Sequence, residues 1–295
     1  MSKKESTFIS AVLYLSDYVD DAEKFTRNLM DSLESYFDHY EVIIVDDCST
    51  KHEPFLKKTL PLIADSTITI VHMSVKQGIE ACLRAGLDVS IGDFVFEFDT
   101  LEFGFEKELI WDVYQEALKG NDVVSVEFRQ NSISRSIFYR LFNKYSNADY
   151  DINASAFRLV SRRAINRVLE LNMSSAFRQA VYASCGLKNA RIDYKGIASQ
   201  HKARNLSLAI DSFLLYTEIG RVVCATTLLL LIVLFTAGIA GALIAGLDWL
   251  FRLTILFIMS LILFDTIVVL YYAKLILKEK RSNYLISSIE KIQKG

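Results

Sequence analysis

The chain has 295 residues, 52% of them hydrophobic, and a formal net charge of −2. That length allows one large domain or two small ones, the apolar share exceeds what a soluble core needs, and the balanced charge argues against nucleic acid as a partner. Four cysteines and four histidines show no metal-ligand spacing, which argues against structural zinc or disulfides and for a reduced compartment.

In chain order, apolar strand-like runs alternate with helix-period segments. Phe8 to Leu15 reads as a strand and Asp20 to Phe37 as a helix; Glu41 to Val45 is a strand; Thr67 to His72 is a strand followed by a helix over Gln77 to Ser90. Phe94 to Phe98 is a strand followed by a helix over Phe105 to Leu118, and Asp122 to Val126 is another strand. This alternation predicts a doubly wound, mostly parallel α/β sheet, and the unbroken Val, Ile and Phe content of the strands suits a sheet covered on both faces. Beyond it, Ser134 to Ser146, Ser161 to Leu171 and Ser174 to Cys185 read helical, while Phe157 to Val160 and Ala190 to Lys195 read as strands.

The surplus apolar residues lie after Arg221. Val222 to Gly246 has no charge, and Leu253 to Leu277 has only Asp265 and Lys274. Each is long enough to cross a hydrocarbon core of about 30 Å as a helix. Leu247 to Arg252, with Trp249 suited to an interface, leaves room for a tight hairpin only. Basic residues gather outside it, Lys202, Arg204 and Arg221 before and Lys278, Lys280, Arg281, Lys291 and Lys294 after, so the positive-inside rule expects both termini in the cytoplasm. The polar start of the chain reads as no cleavable signal. Asn205 to Gly220, with apolar residues at helical spacing, either lies in the membrane interface or packs on the soluble part. Asp265 is costly in lipid, and a hydrogen bond to Thr226, Thr227 or Thr236 of the first span is the expected remedy.

Two strands run straight into acid: Glu41 to Val45 into Asp46-Asp47-Cys48-Ser49-Thr50, and Phe94 to Phe98 into Asp99-Thr100-Leu101-Glu102. Ligands of an open parallel sheet bind beyond the carboxyl ends of its strands, so these carboxylates point to one polar site. The first turn resembles the DDGST turn of family 2 glycosyltransferases. Lys76-Gln77-Gly78-Ile79-Glu80-Ala81, through Ala85-Gly86-Leu87 to Gly92-Asp93, resembles their NxGxxxA…AGL…GD segment. Ala156-Phe157-Arg158-Leu159 with Arg162-Arg163 is similar to the DFRLxxRR segment of the polyprenyl-phosphate branch, which includes dolichol-phosphate mannose synthase, and Glu279 to Tyr284 is similar to its ExxRPxY tail.

The resemblance implies a glycosyltransferase A (GT-A, Rossmann-like) domain over 1–200, a juxtamembrane helix over 201–221, a two-helix transmembrane hairpin over 222–277 and a cytoplasmic tail over 278–295. It implies transfer of a sugar from a nucleotide-sugar to a polyprenyl-phosphate lipid at the cytoplasmic face of a membrane, in cell-envelope glycan assembly. Asp99 is then the catalytic carboxylate, holding Mg²⁺ or Mn²⁺ with Glu102 or Glu97, because a diphosphate leaving group needs its charge neutralised by a hard cation. Asp17, Asp46, Asp47, Gly78 and Asp93 become donor-binding positions, and Arg158, Arg162 and Lys202 acceptor-phosphate positions. Arg163 reads instead as a solvated ion pair. The chain departs from the family pattern at Leu101, the second metal position, at Ala156, the acid of DFRL, and at Cys48, a glycine of the turn. Leu101 and Ala156 motivate an alternative, a scaffold or regulatory subunit that kept the fold and joins a membrane partner or a second copy of the chain.

Overall fold

The computed structural model describes residues 4–63, 67–101, 104–128, 133–146, 148–170, 177–194, 206–245, 248–280 and 284–292. The chain falls into two compact units, one of Met1–Asn143, Ala148–Arg204 and Ser282–Gly295, the other of Lys144–Asn147 and Asn205–Arg281.

The first unit is built on β1 (Glu5–Leu15), α1 (Ala22–Tyr36), β2 (Phe37–Asp46), a π-helical turn (Phe55–Thr59) running into α2 (Leu60–Ile63), β3 (Thr67–Met73), α3 (Ile79–Val89) and β4 (Phe94–Phe98). It continues with α4 (Lys107–Leu118), β5 (Val123–Phe128), α5 (Ile133–Tyr145, its last two residues counted with the second unit), β6 (Ser155–Ser161), α6 (Arg162–Glu170), α7 (Arg178–Ala183) and β7 (Asn189–Tyr194). Among the described residues the strands form one sheet in the order β7-β5-β6-β4-β1-β2-β3-β8, where β8 is Ile286–Ile292. β1 pairs in parallel with β2 and β4, β2 with β3, and β5 with β7; β6 and β8 run antiparallel to their neighbours. The parallel core expected from the alternation is therefore present.

The core follows from the sequence spacing. Phe25, Leu29 and Leu33 recur on one face of α1, where they are buried with Ile9, Leu13, Ile44, Phe96 and Phe98 of the strands. Two glycines of the motif segment are fixed by close approach. A Cβ on Gly86 would lie 2.3 Å from Val12 Cγ1, so α3 lies tightly on β1, and a Cβ on Gly92 would lie 2.5 Å from the backbone nitrogen of Ser10. A backbone neighbour cannot step aside as a side chain can. Gly92→Ala is expected to destabilise the protein by about 1–3 kcal/mol, whereas Gly104→Ala, with nothing within 4 Å, should change little. Thermal unfolding of both variants in detergent checks the contrast.

The segment read as a tail contributes a strand. β8 pairs with β3 from Ile68↔Ile292 to Met73↔Ile286, covering an edge that would otherwise present unpaired backbone groups. Just before it, Leu285 exchanges two hydrogen bonds with the Gln77 side chain, and the Tyr284 hydroxyl donates to Asp88 at 2.6 Å. Ser282, Asn283 and Arg281 lie outside the described residues.

The second unit holds α8 (Leu206–Tyr216), α9 (Ile219–Ala245) and α10 (Asp248–Lys280). Ile219–Gly241 and Phe251–Leu277 are long and apolar enough to cross a membrane, and almost none of their surface is buried. α9 and α10 pack as a hairpin. Gly238 lies close to Thr254, and the Thr227 hydroxyl donates to Asp265 at 2.9 Å, which is the interhelical partner that acid required. Thr226 and Thr236 bond carbonyls of their own helix. α8 packs on this hairpin, where the Tyr271 hydroxyl donates to Asp211.

Candidate active site at the strand ends

The strand order reverses at β1: the chain winds outward through β2 and β3 and then returns to the other side of β1 as β4. Crevices at such a reversal lie outside the carboxyl ends of the strands. The residues after β1, β2 and β4 meet that condition, and they form two separate clusters.

The first cluster surrounds the β2 turn. The Asp46 carboxylate accepts the Ser49 amide at 2.9 Å and pairs with His72 Nδ1 at 3.0 Å. Asp47 accepts the backbone amides of Gln77 at 2.7 Å and Gly78 at 3.0 Å, and the Tyr14 hydroxyl at 3.1 Å. It thereby holds the entrance to α3, where Gly78 takes φ +82°. Cys48 adopts φ 53°, the left-handed conformation expected where the family pattern has glycine, and its thiol reaches the Met73 carbonyl. Burial, and then the Asp47 charge, push the Tyr14 phenol and the Cys82 thiol upward, so both stay neutral.

Asp17 closes this cluster from the β1 side. It accepts the amides of Thr50 at 2.8 Å and Lys51 at 3.0 Å, the Ser49 hydroxyl at 3.0 Å and the Lys76 ammonium at 2.8 Å. The Lys51 amide and then the Lys76 charge hold its carboxyl well below the usual carboxylate range. A pKa lowered by folding contributes stability that is complete above the ordinary aspartate value of about 3.9 and is lost as pH falls through the lowered one. Hydrogen-exchange protection of the Thr50 and Lys51 amides is therefore expected to persist down to about pH 4 and to fall in stronger acid. Asp17→Asn should weaken that protection at neutral pH; unchanged protection would refute the clamp.

The second cluster lies at the end of β4 and is built of buried charge. Asp99 accepts Arg178 Nη2 on one oxygen at 2.9 Å and Arg158 Nη2 on the other at 2.5 Å. Glu97 accepts Arg158 Nη1 at 3.0 Å and Arg178 Nε at 3.1 Å on one oxygen and the Tyr182 hydroxyl on the other. Glu80, in the first turn of α3, accepts Arg178 Nη1 at 2.7 Å. Ser155 accepts from both Arg158 and Gln179. Burial pushes both guanidinium groups down, but the surrounding carboxylates more than reverse it, and both pKa values stand above the ordinary arginine value. Arg158 Nε and Gln179 Oε1 find no partner among protein atoms. Both residues line a polar cavity of about 20 Å³, shared with Glu127, Asn153 and Arg191, which has room for a bridging water.

Several expectations are corrected by this geometry. Arg158, expected to meet a lipid phosphate, is 1% exposed and committed to Glu97 and Asp99. Asp93 and Arg162 sit at the opposite edge of the sheet. Asp93 precedes β4 and accepts the Phe8 amide, and Arg162, just after β6, donates to the Gly92 and Ser90 carbonyls. Since β6 runs antiparallel to β4, the residue after it returns to the amino end of the parallel strands, and both residues brace the α3–β4 connection there. Arg163 forms the ion pair expected of it, a bidentate one with Asp122. Glu102 and Lys202, with His201 and Arg204, lie outside the described residues.

Leu101 and Ala156, which stand where the resemblance puts carboxylates, are both packed in the hydrophobic core. With both Asp99 oxygens taken by guanidinium groups, the described residues do not fit a divalent cation. Among the described residues no three His, Cys, Asp or Glu side chains are grouped to hold one. Sequence reasoning missed Arg178, Tyr182, His72 and the role of Glu80. The one available signal was Glu97, a charge inside the apolar run Phe94 to Phe98, which has to find a buried partner.

The comparisons agree with this architecture. Residues 19–169 match the family model described as glycosyl transferase family 2, just over half of the chain. The chain therefore belongs to glycosyl transferase family 2. It is 25% identical over 192 residues to an uncharacterized glycosyltransferase of Synechocystis sp., covering 61% of this chain and 58% of the relative. It is 26% identical over 171 residues to a prophage bactoprenol glucosyl transferase homolog of Escherichia coli, covering 56% of this chain and 55% of the relative. The chain thus spans little more than half the length of these curated relatives. Among solved structures, it superposes on glucosyl-3-phosphoglycerate synthase of Mycobacterium tuberculosis in complex with Mn²⁺, UDP-glucose and phosphoglyceric acid. There the TM-score is 0.52 at 13% identity, over 70% of this chain and 78% of that one. The fold is the GT-A type.

Proposed function

We propose that the protein is a membrane-bound glycosyltransferase that moves a sugar from a nucleotide-sugar to a polyprenyl-phosphate lipid. In that reaction an acceptor phosphate oxygen attacks the anomeric carbon, the bond to the diphosphate breaks, and the nucleoside diphosphate leaves. The observation that carries the reading is one chain with two features: a family 2 sheet with acidic strand ends at its reversal point, and two apolar helices of membrane-spanning length. The printed name of the Escherichia coli relative, a bactoprenol glucosyl transferase homolog, supports a lipid-linked acceptor. Asp17, Asp46, Asp47 and Gly78 border the donor side, Asp99 stands beside the diphosphate, and the helices insert in the membrane with both termini cytoplasmic.

A second reading is favoured by Leu101 and Ala156 in the core and by the capped Asp99: a glycosyltransferase-like subunit that binds a membrane partner and performs no transfer. One assay decides. The full chain in detergent is given nucleotide-sugars and polyprenyl phosphate, with and without Mg²⁺ or Mn²⁺, and lipid-linked sugar is followed. Product formation supports the first reading. No product from any donor, together with no nucleotide-induced rise in melting temperature, sinks it and favours the second.

A further inference from the structure

The end of β4 holds three carboxylates and two arginines where the resemblance to family 2 places a divalent cation. Every carboxylate oxygen of Glu97 and Asp99 already accepts a hydrogen bond, from Arg158, Arg178 or Tyr182. Arg158 is 1% exposed and Arg178 is 5% exposed, so both are buried against the carboxylates they bond. Arg158 comes from β6 and Arg178 from α7, two elements that approach Asp99 from separate parts of the chain.

We infer that the guanidinium pair has taken the place of the divalent cation at this strand end, so that Asp99 holds no metal. A hard dication needs about six oxygen ligands at short range, drawn from carboxylates, carbonyls and water. Here its first carboxylate is bound on both oxygens by fixed positive charge, its second position is Leu101 in the core, and the acid of the β6 strand is Ala156, also in the core. A dication seated on Asp99 would lie against two arginines, and their repulsion would oppose it. The arginines supply what the cation otherwise supplies to the protein: neutralisation of carboxylates that could not all be buried ionised and unpaired. For donor binding, the inference builds on the glycosyltransferase reading, since it makes nucleotide-sugar binding insensitive to chelators.

The test separates the two claims. Mn²⁺ is titrated into the full chain in detergent and followed by electron paramagnetic resonance. The expected result is no stoichiometric binding at millimolar Mn²⁺, or binding that survives Asp99→Asn and so lies elsewhere. One tightly bound Mn²⁺ lost in Asp99→Asn overturns the inference. A Mn²⁺ anomalous peak at ligand distance from Asp99 in crystals overturns it equally, should that variant not fold. In parallel, nucleotide-sugar is expected to raise the melting temperature equally in EDTA and in MnCl₂. A shift seen only with Mn²⁺ counts against the inference. No shift in either condition strikes the glycosyltransferase reading alone, because the Mn²⁺ titration still decides the metal question.

Discussion

Arg178→Ala is expected to destabilise the protein by about 3–5 kcal/mol, the usual cost of removing one partner from a buried ion pair. The reason is local and countable. Arg178 donates to Glu80, Glu97 and Asp99 at once, at 2.7, 3.1 and 2.9 Å, and all three carboxylates are buried. Without it, Glu97 and Asp99 keep one of their two guanidinium partners, Arg158, and Glu80 loses its bond to α7. Arg178→Lys should recover only part of the loss, because an ammonium cannot span three carboxylates as a planar fork does. Unfolding of the full chain in detergent, followed by fluorescence of Trp111 in the sheet unit with Trp249 replaced by Phe in every variant, measures both. Adding Glu80→Gln to Arg178→Ala should cost less than the two single losses combined, since both remove the same Glu80–Arg178 bond. A loss below about 1 kcal/mol for Arg178→Ala would mean that the cluster is not held as described.

How much of this was legible follows from the distances along the chain over which each feature is encoded. The strands and helices were readable because each rests on periodicity within a dozen residues, and the acidic turns were readable because strand and acid adjoin. Gly86 and Gly92 were readable as motif letters, although their reason, contact with Val12 and with the Ser10 backbone, needs the folded sheet. The buried ion cluster was not readable. Glu80, Glu97, Asp99, Arg158 and Arg178 come together across separations of up to 98 residues, and a lone arginine opening a helix reads as surface. Arg162 misled for the opposite reason: it stands four residues beyond Arg158, and along an antiparallel strand that step carries it to the amino end of the parallel strands. β8 escaped because its apolar residues, Ile286, Ile289 and Ile292, recur every third position, so no strand alternation marks the segment.

Asp47→Asn is expected to destabilise the protein by about 2–3 kcal/mol, on the scale of charge-assisted hydrogen bonds lost inside a protein. Asp47 is 4% exposed and accepts three donors, the Gln77 and Gly78 amides on separate oxygens and the Tyr14 hydroxyl beside the second. An asparagine offers one oxygen and one amino group, so whichever way the amide turns, a donor faces one of the two backbone N–H groups. The loop entering α3 then has either an orphaned amide or a displaced Gly78, whose φ of +82° leaves few alternatives. Tyr14→Phe removes only the hydroxyl and should cost about 1 kcal/mol. A double-mutant cycle between Tyr14→Phe and Asp47→Asn should therefore show coupling well below the Asp47→Asn loss, because most of that loss sits in the backbone amides. The same variant tests the site. If the donor binds over this loop, Asp47→Asn should abolish the rise in melting temperature caused by nucleotide-sugar while Tyr14→Phe keeps it. A rise retained in both would place the donor away from the β2 turn and leave Asp47 as the clasp between that turn and α3.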